Sequence, residues 1–156
     1  MTTIRSAFST EDFAIARQLF REYQAELGID LCFQGFAAEV EGLPGDYAPP
    51  SGRLLLAFRD DVAVGCVALR AVDGARCEMK RLYLRPGARG SGLGRALVER
   101  LLSEARAEGY GEVVLDTLPS MAEAQRMYER FGFRDIPPYR ANPVAGARYL
   151  GLRLES

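Results

Sequence analysis

The sequence predicts a mixed α/β fold, in which a mostly antiparallel sheet carries helices on both of its faces. Alternating apolar segments separated by turn residues fill residues 53–85 and are typical of an antiparallel meander. A Gly-rich turn, a helix and another strand come next, and a strand that returns after a helix can lie parallel to the strand before it. Two short closing strands then complete the sheet.

The N-terminal part is predicted to be mainly helical. After a short strand at residues 3–5, apolar residues recur at helical spacing over residues 13–27, and Gly28 ends the run. Thr10 is the candidate N-cap, because its hydroxyl can accept a hydrogen bond from the first turn. Two shorter segments follow, an apolar one at residues 29–33 and a candidate helix at residues 34–43.

The later elements follow from the spacing of apolar residues and turn signals. A helix that starts at Arg95 ends at Gly109, and a second helix, capped by Ser120, ends at Gly132. A Pro-rich loop at residues 137–143 separates the last two strands. The predicted strands cover residues 54–58, 62–72, 75–85, 112–116, 133–136 and 147–154.

The composition limits the class of protein. A chain of 156 residues with 48% hydrophobic and 26% charged residues is expected to form one globular domain over residues 1–156. A formal net charge of −1 predicts no general affinity for nucleic acid or membranes. Because histidine is absent, Ser-His-Asp and Cys-His catalysis are excluded, and without imidazole ligands no metal is expected.

Cysteines and charge add two further expectations. Cys32, Cys66 and Cys77 lack C-x-x-C spacing and are expected to be reduced core thiols in a soluble, cytoplasmic protein without a membrane span. Residues 1–61 hold five basic and ten acidic residues, whereas the remainder holds 15 basic and 11 acidic ones. This asymmetry indicates either two binding sites that prefer differently charged ligands, or ordinary variation of the surface charge along the chain.

The turn Arg89-Gly90-Ser91-Gly92-Leu93-Gly94 lies between a strand ended by proline and a helix. Unpaired backbone N–H groups and the positive end of the helix dipole make such a turn an anion site. Glycines let the backbone approach a ligand closely, and two arginines, Arg89 and Arg95, add positive charge. The turn therefore predicts a phosphate site, the alternative being a connection in which glycine only relieves crowding.

The spacing of the glycines narrows the choice of phosphate ligand. The dinucleotide fingerprint G-x-G-x-x-G/A fails in both registers, because its last position falls on Arg95 or Leu97. A triphosphate loop requires Gly-Lys-Ser/Thr, but Gly94 is followed by Arg95 and Ala96. The turn thus favours neither a dinucleotide nor a nucleoside triphosphate.

Several segments together resemble the Gcn5-related N-acetyltransferase superfamily. The turn fits that family's Arg/Gln-x-x-Gly-x-Gly/Ala signature, and residues 78–86 are similar to the strand that precedes it. Residues 124–133 resemble the family's A-x-x-x-Y-x-x-x-G-F segment around Tyr128, and the order of elements agrees throughout. The resemblance implies a single N-acetyltransferase domain whose sheet splays at a central parallel strand pair.

Acetyl-CoA is the co-substrate that this resemblance implies. Its pyrophosphate would bind at the start of the helix after the turn, and its pantetheine arm would pair with the strand before it. The residues expected to bind it are Leu82, Tyr83, Leu84, Arg89, Gly90, Ser91, Gly92, Leu93, Gly94 and Arg95.

The implied reaction is direct attack of a primary amine, from a small molecule or peptide, on the thioester in a ternary complex. By resemblance Tyr128 would be the general acid for the leaving thiolate, the alternative being a core aromatic residue. Glu78 would be the general base in an otherwise apolar slot. The alternatives for Glu78 are pairing with Lys80 or Arg76 in solvent, or a relayed water as base. The backbone N–H of Leu82 would hold the oxyanion.

The acceptor site is expected between the first helices and residues 139–142. Its apolar walls would come from aromatic residues, and its acidic residues would suit a cationic amine or simply be solvated helix faces. The aromatic candidates are Phe33, Tyr47 and Tyr139, and the acidic ones are Glu22, Glu26, Glu39 and Glu41.

Two features depart from the family pattern. Family members often carry an asparagine that contacts pantetheine at the position of Met121. The segment Thr117-Leu118-Pro119 makes the preceding loop stiffer than usual.

Partners and alternatives follow from the same reasoning. A non-catalytic module that senses acyl-CoA is the alternative function on this fold. Analogy with the family allows a homodimer, whereas no nucleic acid or membrane partner is expected.

Overall fold

The computed structural model describes residues 1–28 and 35–154. The predicted apolar segment at residues 29–33 lies outside these ranges. The short 3₁₀ turns are Gly45–Tyr47 and Pro86–Ala88. The helices are α1 (Thr10–Leu27), α2 (Phe36–Glu41), α3 (Leu93–Glu108) and α4 (Ala122–Phe131). The strands are β1 (Thr2–Ser6), β2 (Arg53–Arg59), β3 (Val62–Ala71), β4 (Arg76–Leu84), β5 (Glu112–Thr117), β6 (Arg134–Asp135) and β7 (Arg148–Arg153).

The strands form a mixed sheet in the order β1-β2-β3-β4-β5-β7-β6. Neighbouring strands run antiparallel except β4 and β5, which are joined through α3 and run parallel. The meander, the crossover through a helix and the closing strand pair are all present. The predicted fold class is therefore confirmed.

The sheet separates two apolar cores. Leu55 of β2 points into the core beneath α3 and α4, whereas its neighbours Leu54 and Leu56 point into the core beneath α1 and α2. Because successive side chains of a strand alternate between faces, one buried strand supplies both cores. Helices thus cover both faces, as predicted. None of the described helices combines the length and the apolar composition needed to cross a bilayer.

The helix α3 begins at Leu93, two residues before the predicted start at Arg95, and two helix caps differ from the prediction by one residue. Ser9, not Thr10, caps α1: its hydroxyl accepts the Asp12 N–H at 3.0 Å, and the Asp12 carboxylate accepts the Ser9 N–H in return. Met121, not Ser120, precedes α4, because the Met121 N–H donates to the Leu118 carbonyl and draws Ser120 into the turn. Adjacent hydroxyl residues offer the same cap, so only the backbone path decides between them.

The parallel strands β4 and β5 separate soon after they pair. Their register runs from Arg76 opposite Glu112 to Glu78 opposite Val114 and ends there within the described ladder. β4 continues to Leu84 and β5 to Thr117, so their carboxyl ends diverge. This is the splay that the sequence predicts at the central strand pair, and it opens a gap in the middle of the sheet.

A β-bulge in β4 lies beside this gap. Ala68 pairs with Lys80 and Cys66 with Tyr83, so two residues of β4, Arg81 and Leu82, stand opposite one residue of β3. Arg81 has a φ of 62°, which costs a residue other than glycine about 1–3 kcal/mol. Bulges bend a strand and redirect its side chains.

Arg81 is held in this conformation by Glu39 of α2. Its Nε and Nη2 atoms donate to the two carboxylate oxygens at 2.8 and 2.9 Å, and the Arg81 side chain is only 3% exposed. The pair therefore anchors α2 to the bulge.

We expect Glu39→Gln to lower the free energy of unfolding by about 3–5 kcal/mol, because it leaves the buried Arg81 charge uncompensated. Glu41→Gln is the matched control on the same helix. Its partner, Arg21, lies 3.8 Å away with both side chains exposed, so the change should stay within about 0.5 kcal/mol. Urea denaturation measures both, and equal effects of the two substitutions would contradict the anchoring role of Glu39.

Candidate functional site

The glycine turn connects β4 to α3 with a backbone that favours glycine. Gly90 and Gly92 have φ values of 78° and 82°, in the left-handed region that other residues rarely adopt. Gly92 is the N-cap of α3 and, among the described residues, makes no side-chain cap hydrogen bond. The first N–H groups of α3 therefore point toward the turn without a side-chain acceptor.

A groove of about 920 Å³ runs from this turn along β4 to α4. Its walls include most of the residues predicted to bind the co-substrate. Ser91 and Leu93 are not among the described lining residues: the Ser91 hydroxyl donates to the Ala88 carbonyl at 2.6 Å, and Leu93 is buried in the core. The predicted residues on the wall are Leu82, Tyr83, Leu84, Arg89, Gly90, Gly92, Gly94 and Arg95.

The opposite wall of the groove was only partly identified from the sequence, through Met121. It is formed by α4 and the residues before it, with Arg126 and Arg130 adding positive charge. The spacing of these arginines, four residues apart on one helix face, is the signal that could have revealed them.

An ion pair crosses the mouth of the groove. Arg89 of the turn contacts the Glu26 carboxylate of α1 through Nη2 and donates from Nε to the Leu84 carbonyl at 3.0 Å. Its guanidinium also lies 5.8 Å from the centre of the Tyr83 ring. Arg89 is thus already turned toward the groove, with a carboxylate as its partner.

A smaller cavity of about 40 Å³, large enough for a water molecule, lies where β4 and β5 diverge. It shares four lining residues with the groove, so the two lie side by side. The shared residues are Tyr23, Leu27, Leu82 and Met121. The groove begins at the glycine turn, and this inner cavity lies next to it at the centre of the sheet.

Tyr128 lines the inner cavity and also belongs to the core. Its ring packs against Phe133 with a centroid distance of 5.7 Å, and the residue is 5% exposed. Burial raises the pKa of its hydroxyl above the usual value, so the phenol stays protonated at neutral pH. Packing in the core is therefore compatible with the predicted role of Tyr128 as a proton donor.

Glu78 does not lie in an apolar slot, and that expectation is wrong. The side chain is fully buried, and its carboxylate accepts from Arg70 Nε at 2.9 Å and from the Tyr139 hydroxyl at 2.6 Å. Arg140 forms an ion pair with the same carboxylate. Pairing with Arg76 or Lys80 in solvent is also not what the structure shows. Among the described residues, Glu78 is not on the wall of either cavity.

Lys80 was named in the sequence analysis only as a possible partner of Glu78. It is 7% exposed and lines the inner cavity. Burial, followed by the charge of Arg81, lowers the pKa of its ammonium group to about 7. One signal was available in the sequence: Lys80 is its single lysine, whereas every other basic residue is arginine.

Three of the four predicted acidic residues of the first helices lie beside an arginine of β4 or the glycine turn. Glu22 accepts from Arg85 at 2.9 Å, and Glu26 and Glu39 contact Arg89 and Arg81. These pairs bind α1 and α2 to β4 and the glycine turn. The fourth residue, Glu41, is exposed on α2, which agrees with a solvated helix face.

The remaining predicted residues have structural surroundings of their own. Tyr47 is 2% exposed in the core, so it does not wall an open acceptor site; Phe33 lies outside the described residues. Cys66 and Cys77 are buried free thiols, as expected. Within residues 1–28 and 35–154, no group of three or more His, Cys, Asp or Glu residues could hold a metal ion.

Comparison with known proteins gives consistent results. A family model described as "Acetyltransferase (GNAT) family" matches residues 14–133. An uncharacterised N-acetyltransferase of Schizosaccharomyces pombe is 40% identical over 147 residues, covering 92% of this chain and 90% of that protein. An acetyltransferase from Streptococcus agalactiae superposes with a TM-score of 0.81 at 25% identity and covers 98% of both chains. A putative acetyltransferase from Salmonella typhimurium, solved with its cofactor acetyl-CoA, superposes with a TM-score of 0.71 at 22% identity, covering 100% of this chain and 95% of that one.

The matched residues include the parts of the molecule that form the groove and the inner cavity. The glycine turn, β4 and Tyr128 all lie between residues 14 and 133. The splayed sheet and the similarity over nearly the whole chain lead to the same assignment. The chain belongs to the GNAT family of acetyltransferases.

Proposed function

We propose that the protein, as one domain over residues 1–156, transfers an acetyl group from acetyl-CoA to a primary amine of a small molecule or peptide. The observation that carries this proposal is that the groove beginning at the glycine turn lies beside the inner cavity lined by Tyr128. The glycine turn suits a phosphate group, and the inner cavity holds a buried proton donor. The solved relative from Salmonella typhimurium, which contains acetyl-CoA, supports the choice of co-substrate.

The residues of the groove fit coenzyme A. Backbone N–H groups at the start of α3, with Arg89 and Arg95, would hold the pyrophosphate. A Cβ on Gly94 would make only an ordinary contact of 3.4 Å with the Leu84 side chain, so packing against β4 does not require glycine there. Leu82 and Leu84 line the groove beyond the end of the β4–β5 ladder, where β4 offers its backbone to the pantetheine amides.

The groups proposed to act in the reaction line the inner cavity. Leu82 follows the positive-φ residue of the bulge and has no partner in the described β3 ladder, so its N–H is our candidate to stabilise the oxyanion. Tyr128 lies on the same cavity and would give its proton to the departing sulfur. Attack would be direct, with both substrates bound together.

Proton transfer from Tyr128 requires a thiolate that is at least as basic as the phenolate. In water a thiol is the stronger acid, so the transfer would be uphill. Burial raises both the pKa of the thiol and that of the phenol, because it disfavours both anions. In this protein burial raises the pKa of the Tyr128 hydroxyl, as it does that of the Cys77 thiol. Transfer of the proton therefore requires that the pKa of the CoA thiol be raised further than that of the phenol beside it.

Glu78 stays a prediction as the general base. Both of its carboxylate oxygens already accept hydrogen bonds or form ion pairs, so a contact would have to break before Glu78 could take a proton from an amine. Its contacts with Arg70, Tyr139 and Arg140 suit a positioning role for the loop between β6 and β7.

Acetyl-CoA and CoA should raise the melting temperature, whereas NAD and ATP should not. A ligand at 100 times its Kd stabilises the folded state by about 2.7 kcal/mol. Thermal shift with the four compounds is the measurement, and stabilisation by NAD or ATP alone would contradict the proposal.

A thiol-release assay with amines, amino acids, polyamines and peptides then separates an enzyme from a sensor, which would bind acetyl-CoA without turnover.

Tyr128→Phe should lower kcat by about 10²-fold or more, because the variant keeps the ring in the core and loses only the proton donor. Tyr110→Phe is the matched control: its hydroxyl donates to the Ser51 carbonyl at 2.7 Å and its residue lines neither cavity among the described walls. An unchanged kcat for Tyr128→Phe would leave Tyr128 with a packing role alone.

Glu26→Gln should tighten the binding of CoA, because the carboxylate competes with phosphate for Arg89. The effect expected for an exposed ion pair is about two- to fivefold in Kd, and it should shrink as salt is raised. Glu11→Gln, at the opposite end of α1, is the control and should leave Kd unchanged. Weaker binding by Glu26→Gln in calorimetric titrations would contradict this competition.

A further inference from the structure

We infer that Lys80 is a catalytic residue that takes the proton from the acceptor amine, directly or through one water molecule. The inference rests on the proposed acetyl transfer, and it adds a residue that the resemblance does not assign. Three independent features support it: the position of Lys80 in the inner cavity, the charges around it, and the engagement of the competing carboxylates.

The bulge in β4 determines the position of Lys80. Lys80 is the last residue paired with β3 before the bulge, and Leu82 lies immediately beyond it. Both residues line the inner cavity with Tyr128. If the oxyanion lies at the Leu82 N–H and the sulfur at Tyr128, the attacking amine must approach along the remaining wall, which contains Lys80.

The charges around Lys80 allow it to exchange a proton near neutral pH. Its pKa is lowered to about 7, first by burial and then by Arg81. A base is most effective when its pKa lies near the working pH. Within residues 1–28 and 35–154, the charged and titratable groups that face the cavity or act on Lys80 include Arg81, Arg70, Glu39, Asp116, Tyr23 and Tyr128.

The carboxylates near the cavity are less suited to this task. Glu78 is held by Arg70, Tyr139 and Arg140. Asp116 lines the cavity, but its Oδ2 accepts from Asn142 at 3.0 Å. A carboxylate oxygen that already accepts such a contact must break it before it can take a proton from the substrate. A neutral lysine instead offers the lone pair of an uncharged amine.

The identity of the residue is also informative. Every other basic position of the chain is arginine, which stays protonated in proteins and cannot act as a base near neutral pH. Lysine, by contrast, shifts its pKa readily when buried. The single lysine thus stands at the position where a titratable amine can contribute to the chemistry.

The proton balance of the step is complete. An acceptor ammonium gives one proton to neutral Lys80, and the amine then forms a C–N bond to the acetyl carbon. The C–S bond breaks, and the sulfur takes a proton from Tyr128. The second proton of the attacking nitrogen returns to Tyr128, and Lys80 releases its proton to solvent. The products are the acetylated amine, CoA thiol and one proton.

The first experiment measures Lys80 directly. Because the chain has one lysine, protein labelled with [¹³C]lysine shows a single ¹³Cε resonance, and its chemical shift reports the protonation state of the amine. We expect a titration midpoint near pH 7. A midpoint above about pH 9.5, close to that of an exposed lysine, would overturn the inference.

The second experiment follows kcat/KM against pH for the wild type, Lys80→Met and Lys80→Arg. The wild type should show an acidic limb near pH 7, and both variants should lose that limb and about 10²-fold of kcat/KM at pH 8, with unchanged binding of CoA. Arg106→Met, on the exposed part of α3, is the control and should match the wild type. A fully active Lys80→Met variant with the wild-type profile would overturn the inference, whereas a wild type that acetylates no amine would contradict the proposed function itself.

The melting temperature of Lys80→Met shows whether the variant folds. Its dependence on pH tests the direction in which the pKa of Lys80 is shifted. The folded-state pKa lies below the unfolded one, so the lysine destabilises the protein most below pH 7, where both states carry the charge. This penalty disappears as the pH rises toward the unfolded value. Lys80→Met should therefore melt above the wild type at pH 6, with a smaller difference at pH 9.5; the opposite trend would overturn the inference.

Discussion

The separation of β4 from β5 is the constraint on which the rest of the structure depends. The two strands share a ladder only from Arg76 to Glu78, after which each continues without the other. A sheet that stayed closed would satisfy the backbone of β4 internally and leave no space at its centre. The gap instead opens the inner cavity and leaves β4 available to an extended ligand. The bulge at Arg81 lies beside the gap and redirects the residues that face it.

This open centre is maintained by arginines paired with carboxylates from other elements. Arg81 fixes α2 to the bulge through Glu39, and Arg85 fixes α1 to the end of β4 through Glu22. A buried pair such as Arg81–Glu39 contributes little net stability, but removal of one partner is costly. The value of both pairs here is geometric: they hold two helices against a strand that no longer pairs with β5.

Burial has opposite consequences for the two titratable groups of the inner cavity. It raises the pKa of Tyr128, which keeps the phenol protonated, and it lowers the pKa of Lys80, which releases the amine proton more easily. Desolvation disfavours the charged form in both cases. One cavity therefore holds a neutral proton donor and a group that can be a neutral acceptor at the same pH. This is the combination that an amine attacking a thioester requires.

The sequence by itself determined the element order, the mixed α/β sheet and the glycine turn, because these depend on local periodicity, chain breakers and backbone freedom. The family and the splay of the sheet followed from the resemblance of its motifs. The sequence also located most of the groove wall, since Leu82 to Leu84 and Arg89 to Arg95 lie in or next to that turn. Only the tertiary structure decided what surrounds each charged side chain. Glu78 contacts Arg70 of β3 and Arg140 of a distant loop, and Lys80 is buried beside the gap in the sheet. Charge and hydration depend on neighbours brought together by folding, and no spacing in the sequence encodes them.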